Sequence, residues 1–204
     1  FYFAASSEMF GKVEKTPQNE DTKFHPRSTY GISKLAAYEI TRNYRESYDM
    51  FACSGILFNH ESPRRGSEFV TRKISIAVAK IKLGLEKTLK LGNIDAERDW
   101  GYAKDYVEVM YKMLQNNKPV DYVIGTDKAH SVKDFLKLAF DCFNLNFEDY
   151  IKIDKNLFRP ADVDLLVSDS SKAKKEINWS NKTSFSELVE LMVKSDYEYF
   201  KSKS

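Results

Sequence analysis

Apolar residues arrive along this chain in two rhythms. FYFAAS at the start and FACSGILF after Asp49-Met50 are compact apolar runs, the pattern of short strands buried on both faces. Between them Ile32, Leu35, Ala36, Ile40 and Tyr44 recur at helical spacing and predict a helix from Tyr30 to about Tyr48. TPQNEDTKFHPRST, with Pro17 and Pro26, predicts a surface loop ahead of that helix. NHESPRRGSEF is a second loop, marked by Pro63 and Gly66, directly behind the second strand. A helix from Phe69 to Leu83 follows, then strand TLKLG and loop NIDAERDWGYAKD. The pattern continues with helix Tyr106 to Gln115, strand YVIG, helix Val132 to Phe143 and the proline-marked FRPADVDLLVSD. A last amphipathic helix spans Phe185 to Phe200 before the polar KSKS. No internal repeat or low-complexity tract interrupts the series.

Strands that alternate with helices imply a parallel sheet, because parallel neighbours need a crossover and a helix supplies it. The expected architecture is α/β, a doubly wound parallel sheet followed by a smaller α/β lobe. The division is expected near residue 68, giving 1–68 and 69–204, with 102–127 returning to the first sheet. In such sheets ligands bind beyond the carboxyl ends of the strands, which puts SSE and NHESPRRG in the place to look.

Composition narrows the classes. The chain has 204 residues, enough for a real core, and 32 basic against 30 acidic side chains. That balance gives no reason to expect nucleic acid or a membrane surface as partner. No apolar run reaches membrane length, and the start lacks the basic region and cleavage site of an export signal. Cys53 and Cys142 each sit in apolar surroundings and read as reduced core thiols of a cytoplasmic protein. No His/Cys/Asp cluster has metal-ligand spacing, no Ser-His-Asp triad is indicated, and His25 and His130 read as surface loop residues.

Tyr30 and Lys34 stand four apart at the head of a helix and share one face. An ammonium held there favours the phenolate, which makes tyrosine a usable base for a sugar hydroxyl. The spacing alone does not decide, since Tyr197 and Lys201 repeat it near the end of the chain, where an exposed helix face explains it. Context separates the pairs: the first lies between a strand ending in Ser6-Ser7-Glu8 and one ending in Asn59-His60. A hydroxyl, a carboxylate, a phenol and an ammonium can converge there. Arg64 and Arg65 could be an exposed basic turn, and Asp99 with Trp100 could cap and pack the next helix.

The ordered series SSE, YGISK, GILFNHESPRRGSEFVTRKI, LGNIDAERDWGYAKDYV and RPADVD resembles the GDP-mannose 4,6-dehydratase family of the extended short-chain dehydrogenase/reductase superfamily. The resemblance runs over nearly the whole chain and weakens after Asp169. YxxxK marks only the superfamily, whereas NHESPRRG and GN-x-D-A-x-R-DWG are far more restrictive. It implies a Rossmann-type sheet, NADP as cofactor and GDP-mannose as substrate. The implied product is GDP-4-keto-6-deoxymannose plus water, on the way to GDP-fucose or GDP-rhamnose type sugars. Tyr30 would take the O4 proton as hydride leaves C4, Lys34 would hold the nicotinamide ribose, and Ser6 would hydrogen-bond O4. The family often has threonine at the Ser6 position. Glu8 would take the C5 proton; a simple keto-reductase needs no such carboxylate, and the dTDP-glucose dehydratases carry aspartate where this chain has Ser7. By the same resemblance Asn59 contacts substrate, His60 and Arg65 contact cofactor, and Lys73 and Arg98 contact the diphosphate. Arg159 with Asp162 would wall the nucleotide.

One family feature has no counterpart in these residues. The eight glycines include no G-x-G-x-x-G or G-x-x-G-x-x-G, so the turn that receives the cofactor pyrophosphate is not among them. The expectation is the C-terminal part of such an enzyme, inactive when isolated, whose parent is a homodimer or homotetramer. A non-catalytic remnant that binds a GDP-sugar and a dehydratase acting on a GDP-heptose remain alternatives.

Overall fold

The structure, a computed structural model, describes residues 1–158 and 165–203. In chain order the elements are β1 (Tyr2–Ser6), α1 (Thr29–Tyr48), β2 (Cys53–Leu57), β3 (Asn59–Glu61), α2 (Val70–Lys82), β4 (Leu89–Leu91), β5 (Glu97–Arg98) and β6 (Trp100–Tyr102). They continue as α3 (Ala103–Leu114), β7 (Tyr122–Ile124), β8 (His130–Ser131), α4 (Val132–Asp141), β9 (Ile151–Ile153), β10 (Leu165–Leu166), α5 (Ser171–Ile177) and α6 (Phe185–Lys201). Two compact units share them. The first holds 1–60, 98–129 and 163–182, the second 61–97, 130–162 and 183–204.

The first unit is built on a parallel sheet ordered β1-β2-β7. Its register runs from Tyr2 opposite Cys53 to Ser6 opposite Leu57, and Gly55 to Leu57 face Tyr122 to Ile124. Side chains alternate across a strand, so each face of this sheet has its own core. Cys53, Leu57, Tyr122 and Ile124 pack on one side against Tyr106, Val109 and Met113 of α3 and Ala173 of α5. Ala5, Ile56 and Val123 pack on the other with Met9, Phe10, Phe58 and Tyr38 of α1. Helices cover both faces, which is why β2 is buried at every position. The sheet is doubly wound, as its apolar rhythm predicts.

The loop between β1 and α1 is pinned rather than loose. Gly11 adopts φ +56°, and a Cβ there would stand 1.9 Å from the carbonyl oxygen of His25. Buried Gln18 exchanges backbone hydrogen bonds with Val167 and Asp169, and its side-chain oxygen accepts from the N–H of Val167 at 2.9 Å. Glu20 Oε1 accepts the N–H of Val123 at 2.7 Å and so occupies a donor on the outer edge of β7.

In the second unit α2, α4 and α6 pack on one another, with Ile74, Val78, Phe135, Phe140 and Met192 buried among them. A parallel pair, β4 with β9, joins Leu89 to Ile151 and Leu91 to Ile153. Ser131 with Asp134 and Ser184 with Glu187 form capping boxes that start α4 and α6. Buried Asp196 of α6 accepts from Ser75 Oγ at 2.6 Å and is ion-paired with Arg72.

Several expectations need correction. The α1 helix exists, but Ile32, Ile40 and Tyr44 of its apolar repeat are exposed; Leu35 of that repeat packs on the sheet's core beside Tyr38, and Gly31 and Thr41 are also buried. Cys53 is buried, whereas Cys142, at the end of α4, is only half-buried; both thiols are free. His130 is not a loop residue: it lies in β8 and stacks on Phe185 with ring centroids 3.9 Å apart. Helix α5 has no counterpart in the apolar pattern, because SKAKKEI buries only Ala173 and carries no apolar repeat.

Candidate functional site

The first unit gathers four of the candidate residues around the end of β1. The strand stops at Ser6, whose extended backbone caps a single 3-10 turn, Ser7–Met9, with Oγ accepting from the N–H of Glu8 at 3.2 Å. That turn sets Glu8 half-buried while burying Ser7 and Met9. Ser28 starts α1 by accepting from the N–H of Gly31 at 3.0 Å. A Cβ on Gly31 would lie 2.6 Å from the carbonyl oxygen of Glu8, so the first turn of α1 presses backbone to backbone on the Ser7–Met9 turn. This approach is what the glycine of Y-G-I-S-K provides.

Lys34, one helical turn beyond Tyr30, extends towards β1. Its Nζ donates to the carbonyl oxygen of Ala4 at 2.9 Å and lies 5.6 Å from the Tyr30 ring centroid. The Tyr30 side chain itself is open, at 52% exposure. Ser6, Glu8, Tyr30 and Lys34 are therefore tied together through the β1 end, the 3-10 turn and the head of α1. A hydroxyl, a carboxylate and a phenol with an ammonium beside it can serve proton transfer on a polyol.

Beyond β2, Asn59 and His60 lie half-buried in β3, which pairs with β6. His60 Nδ1 is 2.9 Å from the carbonyl oxygen of Phe58, and its ring stacks on buried Tyr106 at 5.0 Å. Trp179 closes on Tyr106 edge-on at 5.8 Å and donates Nε1–H to the carbonyl oxygen of Asp105. Arg98 ends β5, half-buried. The next residue, Asp99, is fully buried and does not cap α3. It accepts from Thr126 N–H and Oγ1, Asp127 N–H, and Ser168 N–H and Oγ, at 2.6 to 3.2 Å. Burial raises its carboxyl above the usual range, and these hydrogen bonds work against that shift.

In the second unit Arg65 and Lys73 flank the start of α2. Arg64 is exposed, but Arg65 is partly buried, 3.3 Å from Glu61 and stacked on Phe69 at 3.5 Å. Lys73 is half-buried in the first turn of α2. Arg159 and Asp162 lie outside the described residues. Among the described residues no group of His, Cys, Asp and Glu is arranged to hold a metal, and no helix is long and apolar enough to cross a membrane.

The family model described as GDP-mannose 4,6 dehydratase matches residues 1–192. The chain belongs to that family. GDP-mannose 4,6 dehydratase 1 of Arabidopsis thaliana is 55% identical over 201 residues, covering 98% of this chain and 55% of that protein. GDP-mannose 4,6 dehydratase of Homo sapiens is 48% identical, covering 99% of this chain and 59% of that one. The chain thus spans little more than half the length of these curated relatives. RMD from Pseudomonas aeruginosa, solved with NADPH, superposes with a TM-score of 0.90 over 98% of this chain and 67% of that one, at 22% identity. A dTDP-glucose 4,6-dehydratase from Bacillus anthracis superposes with a TM-score of 0.84 at 20% identity. These last two likenesses establish the Rossmann-type fold.

In this GDP-mannose 4,6 dehydratase family member the burial of Glu61 escapes sequence reasoning, and Asp99, a helix cap by sequence, is instead a buried hub. The signal for Asp99 was its place between Arg98 and Trp100, since a charge inside a buried stretch must find partners. For Glu61 it was the four-residue step to Arg65, together with its place between a buried strand and a helix.

Proposed function

We propose that this chain carries the catalytic and sugar-nucleotide residues of an NADP-dependent GDP-mannose 4,6-dehydratase, a hydro-lyase. The product is GDP-4-keto-6-deoxymannose, a precursor of GDP-deoxysugars of the fucose or rhamnose type. The observation that carries this reading is the linkage of Ser6, Glu8, Tyr30 and Lys34 through one backbone contact, Gly31 on Glu8. Family membership supplies the substrate class.

Tyr30 accepts the O4 proton through a side chain open to a ligand, with the Lys34 ammonium beside its ring. Ser6 offers its hydroxyl to O4, and Asn59 contacts the sugar. NADP, which Lys34, His60 and Arg65 would hold, would supply the hydride acceptor for C4 and the hydride donor for C6. With C4 a ketone the C5 proton is acid, and Glu8 removes it as water leaves C6. Arg65 and His60 contact the cofactor. The buried Nε of Arg65 has no hydrogen bond, which leaves a donor set suited to a phosphate. Lys73, Arg98, Arg159 and Asp162 serve the GDP end. The whole enzyme is a homodimer or homotetramer; the exposed Ile32, Ile40 and Tyr44 on α1 fit burial in such an assembly. Two free thiols fit a reducing, cytoplasmic setting.

A chimera tests this, with the chain replacing its matching segment in the Arabidopsis thaliana relative. It should release the 4-keto sugar from GDP-mannose. Glu8→Gln should slow elimination by on the order of 10²–10⁴ while NADPH still forms. Water release at the normal rate in that variant would remove Glu8 from the mechanism. Turnover of a GDP-heptose in preference to GDP-mannose would shift the substrate.

A second reading, a remnant that only binds a GDP-sugar, is favoured by one observation: these 204 residues contain no glycine-rich pyrophosphate turn. An inactive chimera that binds GDP-mannose would establish it.

A further inference from the structure

Two arginines stand side by side ahead of α2, and only one is built in. Arg65 is held from two sides within the segment 61–71. Its Nε lies 3.3 Å from Glu61 Oε2 with the N–H not aimed at the oxygen, an ion pair rather than a directed hydrogen bond. Its guanidinium carbon stands 3.5 Å from the Phe69 ring centroid, a stacking distance. The turn beneath it is closed by the N–H of Arg65 on the Ser62 carbonyl and the N–H of Phe69 on the Gly66 carbonyl.

Glu61 is 2% exposed, and Thr71 Oγ1 donates to its Oε2 at 2.6 Å. Burial pushes its carboxyl upward; Arg65 first and Thr71 second pull it back. Burying a carboxylate is costly, so a matching cation nearby is expected. Mere neutralisation, however, would aim the guanidinium donors at the carboxylate oxygens. Here the Nε donor is buried without a hydrogen bond, and neither Nη is bonded to a described residue. The fork is held and its donors are left over.

The geometry points to Glu61 as a positioning residue that, with Phe69 as platform, fixes the Arg65 guanidinium for a phosphate of the nicotinamide cofactor. The inference rests on the proposal that Arg65 is a cofactor contact. Glu61 touches no ligand. It acts by removing rotamer freedom from Arg65 before binding, so less is lost when the phosphate arrives.

Glu61→Gln is the discriminating change, because the amide oxygen can still accept from Thr71 and the volume is kept while the charge goes. Arginine Nε–Hε NMR signals of the chimera, which carries the pyrophosphate turn of its relative, are titrated with NADPH and read both halves of the claim. In the parent chimera the Phe69 ring current should displace the Arg65 signal, and NADPH should move it further. In the Gln variant the signal should return towards that of free arginine, and NADPH should bind roughly tenfold more weakly. Affinity for GDP-mannose should be unchanged. Phe69→Leu, which leaves the buried acid intact, should act in the same direction. An Arg65 signal still displaced in Glu61→Gln, or freed but with wild-type NADPH affinity, overturns the positioning role and leaves Arg65 as a contact. No response of Arg65 in a parent chimera that binds NADPH overturns both.

Discussion

Glu20 shows how a single side chain closes an edge. Its carboxylate takes the Val123 N–H on the open side of β7, where another strand could otherwise dock. Burial is the larger influence on that carboxyl and raises it; the Val123 hydrogen bond and then Lys172 only partly oppose this. A carboxyl raised in the folded state contributes stability that is full below its unfolded value of about 4.3 and is lost as pH rises through the folded value. Glu20→Gln keeps an oxygen for Val123 and has no charge to desolvate. It should therefore match the wild type near about pH 4 and exceed it near about pH 7. Urea midpoints at both pH values check this, and a difference independent of pH would count against it. At this scale the sequence was half legible. Tyr197 and Lys201 repeat the spacing of Tyr30 and Lys34, and the two pairs even share one geometry, 5.7 Å against 5.6 Å from ammonium to ring. The pair is a property of any helix. What singles out Lys34 is a carbonyl thirty residues upstream, and no local pattern encodes that.

Helix α1 carries the lesson for elements. Its existence is plain from the apolar repeat, yet of that repeat Leu35 alone packs on the sheet's core, beside Tyr38. Ile32, Ile40 and Tyr44 of the repeat face outward, Ile40 at 58% exposure. An apolar stripe says that something covers it, not what. The buried face is marked instead by its small members, above all Gly31, since a close backbone approach selects for absence of side chain. Gly31→Ala tests this directly. Alanine is the better helix former by about 1 kcal/mol. Its Cβ would nonetheless lie 2.6 Å from the Glu8 carbonyl oxygen, backbone that cannot yield as a side-chain tip can. Overpacking costs about 1–3 kcal/mol, so the clash should win and the variant should be destabilised. The strain falls between Glu8 and Tyr30, so activity in the chimera should fall by more than stability explains. A Gly31→Ala protein as stable and as active as its parent would show that the contact is not tight. Helix α5 lies at the other extreme: one buried alanine leaves no periodic signal, and only the completed sheet gives it a place.

For the whole molecule the doubly wound sheet was readable because β2 is buried at every position, and only a strand covered on both faces has that pattern. The hub at Asp99 was not, because its five donors come from residues 126, 127 and 168, brought together only by the fold. The glycines decide what these 204 residues can do by themselves. A pyrophosphate turn needs glycines two and three positions apart, at the entry to a helix, so that backbone N–H groups reach the phosphates. The two nearest glycines here, Gly84 and Gly92, are eight apart (84 to 92). Arg65 and Lys34 hold opposite charge for a cofactor but cannot replace that turn. The chain assayed alone with NADP+ and GDP-mannose should therefore yield no 4-keto product. The chimera, which restores the rest of a relative, should yield it and lose it again on Lys34→Ala. Product from the isolated chain would mean that the pyrophosphate is held some other way, and the place to look would be the Arg65 loop.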